Sequence, residues 1–175
     1  MCALEAEQAL ILLHGTWFPA HPSNWMDLGC GDGFFTRALA ARLASGSVIN
    51  AWDKDARSLE SIPENLDGIV IKKQVCNFIT TTLPEQGIDG ILMANSLHYV
   101  PDQLRFLQRL RSFIQPGGRL IIIEYDRNQA NPWVPYPITY SKLEMIAGQT
   151  GWTSVQKNGE VNSRYGAKMY AAILQ

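Results

Sequence analysis

Three glycines alternate with other residues in the stretch Asp27-Leu28-Gly29-Cys30-Gly31-Asp32-Gly33. Glycine lets the backbone bend sharply, and it leaves no side chain where a ligand must lie against the main chain. A strongly helical segment, Phe34–Ala44, follows at once, and the open N–H groups at its start suit a polar, electron-rich ligand group. We therefore expect this stretch to form the centre of a ligand-binding site.

Polar residues also follow four later apolar runs, each at the point where a strand is expected to end. They are Asp53, Asn77, Asn95 with Ser96, and Glu124. The carboxyl ends of parallel strands meet at one edge of a sheet, so these side chains should lie near the glycines. Histidine is the side chain best suited to accept a proton near neutral pH, and His98 follows the fourth run.

Apolar runs alternate with helical segments along most of the chain, which indicates an α/β protein with a doubly wound parallel sheet. Strands are predicted at Asn24–Leu28, Ser47–Trp52, Gly68–Val75, Asp89–Ala94 and Arg119–Glu124. Helices are predicted at Ala3–Leu13, Phe34–Ala44, Ala56–Ile62, Asp102–Ile114 and Thr139–Thr150. Two last strands, Thr153–Lys157 and Ala167–Leu174, have no crossover helix between them and should pair antiparallel. A polar turn containing Gly159 and Gly166 is expected to join them.

One domain is expected over residues 1–175, because the chain has the length of an ordinary domain and no internal repeat. Residues 1–23 should form a short N-terminal helix followed by His14–Pro22, a segment broken by glycine and proline. This segment could fold over the ligand as a partial lid. Equally, Trp17 and Phe18 could only pack the first helix onto the core, and the residues alone leave both possibilities open.

Two classes of ligand use a glycine turn of this kind. Dinucleotide-binding folds prefer G-x-G-x-x-G, but here the third glycine comes one position early, at Gly33. The stretch fits D-x-G-x-G-x-G at every fixed position. Together with the polar residues at the later strand ends, this pattern resembles the class I S-adenosylmethionine-dependent methyltransferases, in particular the small methyltransferase-domain members. The resemblance runs from Asn24 to Gln175.

The resemblance implies a three-layer, Rossmann-like fold with a seven-stranded sheet of order 3-2-1-4-5-7-6, in which strand 7 is antiparallel. It also implies S-adenosyl-L-methionine as the cofactor. Asp27 would hold the ammonium group, Asp53 the two ribose hydroxyls and Asn77 the adenine. The cofactor-binding residues implied in this way are Asp27, Gly29, Cys30, Gly31, Asp53, Lys54, Asn77, Phe78, Asn95 and Ser96.

The implied reaction is methyl transfer to a small-molecule acceptor by in-line displacement. The leaving thioether is neutral, so the acceleration would come mainly from proximity and the exclusion of water. His98 and Tyr125 are candidate catalytic residues, although His98 could instead only shape the pocket. The loop Asp126–Ile138 is rich in proline and could either wall the acceptor site or simply pack over the sheet edge. The candidate acceptor-binding residues are Trp17, Tyr99, Trp133 and Tyr136.

Charge and composition narrow the expected partners. The chain has 15 Lys and Arg against 16 Asp and Glu, a net charge of −1, so it lacks the basic excess typical of nucleic-acid binding. The segment Asn95-Ser96-Leu97-His98 also lacks the Asn/Asp-Pro-Pro-Tyr motif that amino-directed nucleic-acid methyltransferases carry at this place. We expect a small-molecule acceptor, no nucleic acid, and a monomer or homodimer.

The cysteines and the N-terminus indicate neither a metal nor a membrane. Cys2, Cys30 and Cys76 have no spacing that suits metal ligands, so no metal is expected and the cytoplasm is the simplest location. The apolar run Ala9–Leu13 is too short to span a bilayer.

Two other functions remain compatible with these residues. The chain could be a non-catalytic relative that binds the cofactor as a partner or regulatory subunit, since the glycine turn and Asp53 would serve binding alone. It could also be a nicotinamide-dependent oxidoreductase, against which the position of Gly33 argues.

Overall fold

The computed structural model describes residues 3–15, 18–83, 87–163 and 168–175. Its helices are α1 (Ala3–Leu12), α2 (Phe34–Ala40), α3 (Ala56–Glu60), α4 (Gln103–Arg111) and α5 (Tyr140–Ala147), with a 3₁₀ turn at Leu97–Tyr99. Its strands are β1 (Asn24–Leu28), β2 (Val48–Asp53), β3 (Asn65–Leu66), β4 (Ile69–Val75), β5 (Ile88–Ala94), β6 (Ile114–Tyr125), β7 (Val155–Asn162) and β8 (Lys168–Leu174).

The described strands form one mixed sheet in the order β3-β4-β2-β1-β5-β6-β8-β7. The five strands from β4 to β6 in that order run parallel, while β8 pairs antiparallel with both β6 and β7. The α/β class is therefore confirmed. The count of seven strands is wrong by one, because β3 adds a short antiparallel pairing to β4 at the edge.

The additional strand comes from a tight hairpin that sequence periodicity did not reveal. Asp67 and Gly68 both have positive φ, 51° and 87°, and turn the chain so that Leu66 pairs with Ile69. Two residues are too few for an alternating pattern, so β3 leaves no recognisable signal. Without β3, the remaining strands follow the order expected for the seven-stranded sheet.

The sheet separates two apolar cores, which makes three layers. Helices α4 and α5 cover one face, and α1, α2 and α3 cover the other. Strand β1 supplies both cores, because Met26 and Leu28 point to the α4 side whereas Trp25 packs on the α1 side. This central strand carries the glycine turn at its carboxyl end, so the turn is supported from both faces.

Several boundaries differ from the predicted ones for local physical reasons. Helix α2 ends at Ala40 because the next residues form tighter turns, with the Arg42 and Leu43 N–H groups donating three residues back. Strand β6 begins early, at Ile114, because the Gln115 amide donates to the Asp89 carboxylate and draws this segment onto β5. None of the described helices is long and apolar enough to cross a lipid bilayer.

Gly159 lies inside β7 and not in a turn, which corrects the predicted turn after Lys157. The pairing register with β8 shifts between Lys157 and Gly159. A Cβ at Gly159 would lie 3.2 Å from the Ile11 carbonyl oxygen, and the neighbouring Asn158 amide donates to the Leu12 carbonyl at 2.9 Å. Glycine is used here because the backbone of α1 passes close to the strand.

We predict that Gly33→Ala destabilises the protein by about 1–3 kcal/mol more than Gly151→Ala does. The two glycines have almost the same φ, 80° and 81°, so the backbone strain of the two variants should match. A Cβ at residue 33 would lie 2.6 Å from Ile62 Cγ1, whereas one at residue 151 meets nothing within 4 Å. Chemical denaturation of the two variants measures the difference, and equal losses would show that Ile62 moves aside without cost.

Candidate active site

The carboxyl ends of β1, β2, β4, β5 and β6 bring the predicted polar residues to one edge of the sheet. Asp27 lies at the end of β1, Asp53 at the end of β2, and Glu124 at the end of β6. Asn77 and Asn95 follow β4 and β5. Open α/β sheets bind ligands outside this edge, near the point where the order of strands reverses.

The glycine turn is held close to its neighbours. The N–H groups of Gly29 and Cys30 both donate to the Trp52 carbonyl, at 2.8 and 3.1 Å, which ties the turn to β2. A Cβ at Gly29 would lie 2.6 Å from Ser96 Cβ and 3.1 Å from the Phe78 ring. Residues from the ends of three strands therefore converge on a position where only glycine fits.

Cys30 and Gly31 contribute different things to the turn. The Cys30 side chain is buried, and burial followed by the nearby Asp27 and Asp53 carboxylates raises the pKa of its thiol. The protonated thiol lies 3.8 Å from the Gly31 carbonyl oxygen, to which it donates. Gly31 has φ 54°, and a Cβ there would meet nothing within 4 Å, so this glycine borders open space.

Asp53 holds the turn and keeps further capacity as an acceptor. Its Oδ2 accepts the Gly31 N–H at 2.8 Å, and its Oδ1 accepts the Asp55 N–H at 2.9 Å. Each carboxylate oxygen can accept more than one hydrogen bond, so both can also receive ligand hydroxyls. The helix cap of α3 is a separate residue, Asp55, whose carboxylate accepts the Arg57 N–H.

Asp27 is buried and only half satisfied. The Thr36 hydroxyl donates to Oδ2 at 2.7 Å, while Oδ1 has no hydrogen-bond partner among the residues that the structure describes. Burial raises the pKa of this carboxyl group to about 7, the Thr36 hydrogen bond opposes the shift, and the Asp53 charge adds to it. Sequence reasoning missed Thr36, although a hydroxyl on the buried face of α2 was a signal that it had a polar partner.

Asn95 and Ser96 end β5 in different ways. Asn95 adopts φ 53°, and its buried Oδ1 meets no hydrogen-bond donor within residues 3–15, 18–83, 87–163 and 168–175. The Ser96 hydroxyl donates to the Leu28 carbonyl at 2.6 Å, so it braces the glycine turn. Asp27 and Asn95 thus place, at the carboxyl ends of two adjacent strands, acceptor oxygens that are unpaired among the described residues.

The residues expected at the adenine differ in accessibility. Asn77 is exposed and its Oδ1 accepts the Ile79 N–H at 3.0 Å, whereas Phe78 is buried against Phe106 with ring centroids 5.9 Å apart. The Arg109 guanidinium, which sequence reasoning missed, donates to the carbonyls of Phe78 and Ile79 at 2.8 Å each. This arginine fixes the turn after β4 from the side of α4.

His98 forms a buried pair with Glu124. Its Nδ1 lies 2.8 Å from Glu124 Oε2, and its backbone N–H donates to Glu124 Oε1 at 3.1 Å. The ring of Tyr99 packs 4.4 Å from the His98 ring and that of Tyr125 lies 6.5 Å away, centroid to centroid. The Lys54 ammonium lies 5.6 Å from the centroid of Tyr99, which joins a predicted cofactor residue to this group.

The loop after β6 is attached to the same group through its backbone. The Tyr136 N–H donates to the His98 carbonyl at 3.0 Å, and the Gln103 side chain donates to the Tyr136 carbonyl at 2.7 Å. Trp133 projects from a turn closed by Asn131 and is 74% exposed, so its ring is not part of an enclosed wall.

Only part of the predicted lid segment, His14–Pro22, lies within the described residues. Trp17 lies outside the described residues. Phe18 packs on Trp25, with ring centroids 5.6 Å apart, near the amino end of β1 and away from the glycine turn. In the described ranges, no group of three or more His, Cys, Asp or Glu residues could hold a metal ion.

A family model described as "Methyltransferase domain" matches residues 26–120, which is more than half of the chain. The chain belongs to the methyltransferase domain family. The matched region begins in β1, includes the glycine turn and the ends of β2, β4 and β5, and stops inside β6 before Glu124.

Two named methyltransferases match part of this chain and about half of their own length. An uncharacterized methyltransferase of Mycobacterium tuberculosis is 30% identical over 100 residues, which are 57% of this chain and 49% of that protein. A trans-aconitate 2-methyltransferase of Methylobacterium radiotolerans is 29% identical over 151 residues, 86% of this chain and 54% of that protein. The chain spans about half the length of the curated relatives it matches.

Solved structures share the fold at low identity. A Burkholderia thailandensis 1,6-didemethyltoxoflavin-N1-methyltransferase, solved with 1,6-didemethyltoxoflavin and S-adenosylhomocysteine, has a TM-score of 0.70 and 19% identity. The match covers 97% of this chain and 77% of that one. At this identity the likeness shows that the two chains have the same fold.

We predict that Asp27 makes the methyltransferase domain less stable as pH rises. Burial raises its pKa from the ordinary 3.8 to about 7 in the folded state, so the folded state binds the proton more tightly than the unfolded state between these values. Stability from this group therefore falls as pH rises from about 4 to about 7 and is level above that. Between pH 5 and pH 8 the loss is at most about 3 kcal/mol.

Asp27→Asn should remove this pH dependence. The measurement is the free energy of unfolding by denaturant at pH 5 and pH 8, for the wild type, Asp27→Asn and the exposed control Asp67→Asn. The stability gap between wild type and Asp27→Asn should change with pH, whereas the control should follow the wild type. Parallel pH profiles for all three proteins would mean that Asp27 does not titrate in this range.

Proposed function

We propose that this domain binds S-adenosyl-L-methionine and transfers its methyl group to a small-molecule acceptor. The observation that carries the proposal is a pair of buried acceptor oxygens, Asp27 Oδ1 and Asn95 Oδ1, which have no partner in the described part of the chain and lie at the ends of adjacent strands beside the glycine turn. A buried acceptor without a donor costs free energy, so such sites are retained where a ligand supplies the donor. The ammonium group of the cofactor is a donor of this kind.

The other residues at this edge fit the rest of the cofactor. Asp53 retains lone pairs for the two ribose hydroxyls while its existing bonds keep it in position. The exposed amide of Asn77 suits hydrogen bonding to the edge of the adenine. Lys54 and Phe78 are the other residues predicted to bind this part of the cofactor. The open space at Gly31 allows the cofactor to lie against the backbone.

When bound, S-adenosyl-L-methionine supplies a methyl group on a positively charged sulfur, which leaves as a neutral thioether. The chain needs no acid for such a leaving group. Its residues hold the cofactor and acceptor in line and exclude water, which is where we expect most of the acceleration to originate.

The acceptor side lies around the 3₁₀ turn and the loop after β6. Tyr99 and Tyr136 are each 43% exposed, and the backbone bond between Tyr136 and His98 keeps the loop next to the turn. These rings suit a flat, partly polar small molecule, with Trp17 and Trp133 as further candidates. The near-neutral charge favours a small acceptor over nucleic acid. We propose that the domain acts as a monomer or a homodimer, and its mass in solution distinguishes the two.

Calorimetry with S-adenosyl-L-methionine tests the proposal. Asp53→Ala should weaken binding at least tenfold, because each charge-assisted hydrogen bond contributes about 1.5–3 kcal/mol. Glu60→Gln, which removes an exposed charge from α3, is the matched control and should bind like the wild type.

Three results would count against the proposal. Tight binding of NAD(H) with none of S-adenosyl-L-methionine would support an oxidoreductase. Unchanged affinity of Asp53→Ala for S-adenosyl-L-methionine would show that Asp53 does not bind the ribose. If the cofactor binds but no acceptor ever yields S-adenosylhomocysteine, the domain is a non-catalytic binding relative.

A further inference from the structure

The His98–Glu124 pair is the most buried set of ionisable groups at this edge that cofactor binding does not use. The side chains of His98 and Glu124 are 3% and 1% exposed. Glu124 accepts two hydrogen bonds from one residue, the backbone N–H on Oε1 and the ring on Oε2. This double contact sets both the position of the 3₁₀ turn and the rotation of the imidazole.

The pair also selects a tautomer. An ionised carboxylate can only accept hydrogen bonds, so the hydrogen between Nδ1 and Oε2 belongs to the imidazole. In the neutral ring the lone pair then lies on Nε2. Nε2 makes no hydrogen bond within the described part of the chain. The ring is therefore arranged to accept a proton at one defined atom.

The neighbours of His98 belong to the proposed cofactor and acceptor sites. His98 lies between Ser96, which braces the glycine turn, and Tyr136, whose backbone is bonded to the His98 carbonyl. The titratable or charged groups around the pair are Tyr99 and Tyr125 beside the ring, Tyr170 across from Glu124 on β8, and Lys54 beyond Tyr99. Glu124 is the only carboxylate bonded to the ring among the described residues.

We propose that Glu124 is a positioning residue that holds His98 Nε2 ready to take a proton from the methyl acceptor, and that the acceptor is a phenolic hydroxyl. This inference rests on the proposed function. The acceptor oxygen forms a bond to the methyl carbon as the carbon–sulfur bond breaks, and that electron pair goes to sulfur. The hydroxyl proton goes to Nε2, and the resulting imidazolium is stabilised by the Glu124 carboxylate until water takes the proton.

The chemistry of the acceptor follows from the need for a base. A general base contributes only if the acceptor must lose a proton during the transfer. A carboxylate acceptor, ionised at neutral pH, has no proton to lose and would make no use of the pair. A hydroxyl on a flat ring both requires the base and suits the exposed faces of Tyr99 and Tyr136.

Imidazole nitrogen NMR tests the tautomer in the free protein without any reaction. The chain has three histidines, and His14→Gln and His21→Gln assign the two exposed ones. We expect His98 to be protonated at Nδ1 and bare at Nε2. The opposite tautomer in the wild type would overturn the proposal even if no variant folds.

Glu124→Gln tests whether Glu124 is responsible. The amide has one acceptor oxygen for two N–H groups, so the strong preference for one tautomer should be lost, while Glu124→Asp should retain part of it. An unchanged tautomer in a folded Glu124→Gln protein, as judged by circular dichroism, would overturn the positioning role.

Turnover tests the acceptor class, with catechol as the hydroxyl probe and trans-aconitate as the carboxylate probe. S-adenosylhomocysteine should form with catechol, and His98→Gln should lower kcat by about a hundredfold with little change in cofactor affinity. The control His21→Gln should leave kcat unchanged. Turnover of trans-aconitate alone, turnover of neither probe, or a His98→Gln kcat within about threefold of the wild type would overturn the inference.

Calorimetry distinguishes a failure of the inference about the His98–Glu124 pair from a failure of the proposed function. If S-adenosyl-L-methionine does not bind to the wild type, the proposed function itself is wrong. If it binds and the results above go against catechol or against the tautomer, only the role of the His98–Glu124 pair and the phenolic acceptor is wrong.

Discussion

The missing side chain at residue 29 is the constraint on which the rest of the site depends. At this point the end of β1 lies against Ser96 after β5 and Phe78 after β4, and a Cβ would lie 2.6 Å from Ser96. The two N–H groups that follow β1 donate to one carbonyl of β2. Four strand ends are therefore drawn together around backbone, and the polar side chains that follow them are brought to a common edge.

Two groups at this edge that we propose bind the cofactor lower the stability of the protein when no ligand is bound. Asp27 is buried with one oxygen unpaired, and Asn95 combines a left-handed backbone with an unpaired amide oxygen. Each of these features costs free energy in the protein alone. Asp53 and Ser96 are different, because their hydrogen bonds to backbone stabilise the turn whether or not a ligand is present.

Local patterns predicted the parts of the structure that depend on nearby residues. The bounds of β1 agree in full with Asn24–Leu28, and Asp53, Asn77 and Asn95 do follow strands at one edge. Other pairs at the site join residues far apart in the sequence, such as Glu124 with His98, which are 26 positions apart. No periodicity encodes such contacts, because they arise only when the sheet order is set. The two-residue β3 was missed because it is too short to show a pattern, and the Arg109 bonds to the turn after β4 were missed because they join distant residues.

The loop after β6 is joined to the 3₁₀ turn through main-chain atoms at both of its contacts. Tyr136 donates its N–H to the His98 carbonyl and offers its own carbonyl to Gln103, so neither bond depends on which side chain residue 136 carries. Side chains of this loop can be exchanged in the course of divergence without displacing His98. If this loop binds the acceptor and His98 takes its proton, as we propose, a lineage acquires new acceptors by substitutions in one segment while the reacting group keeps its position.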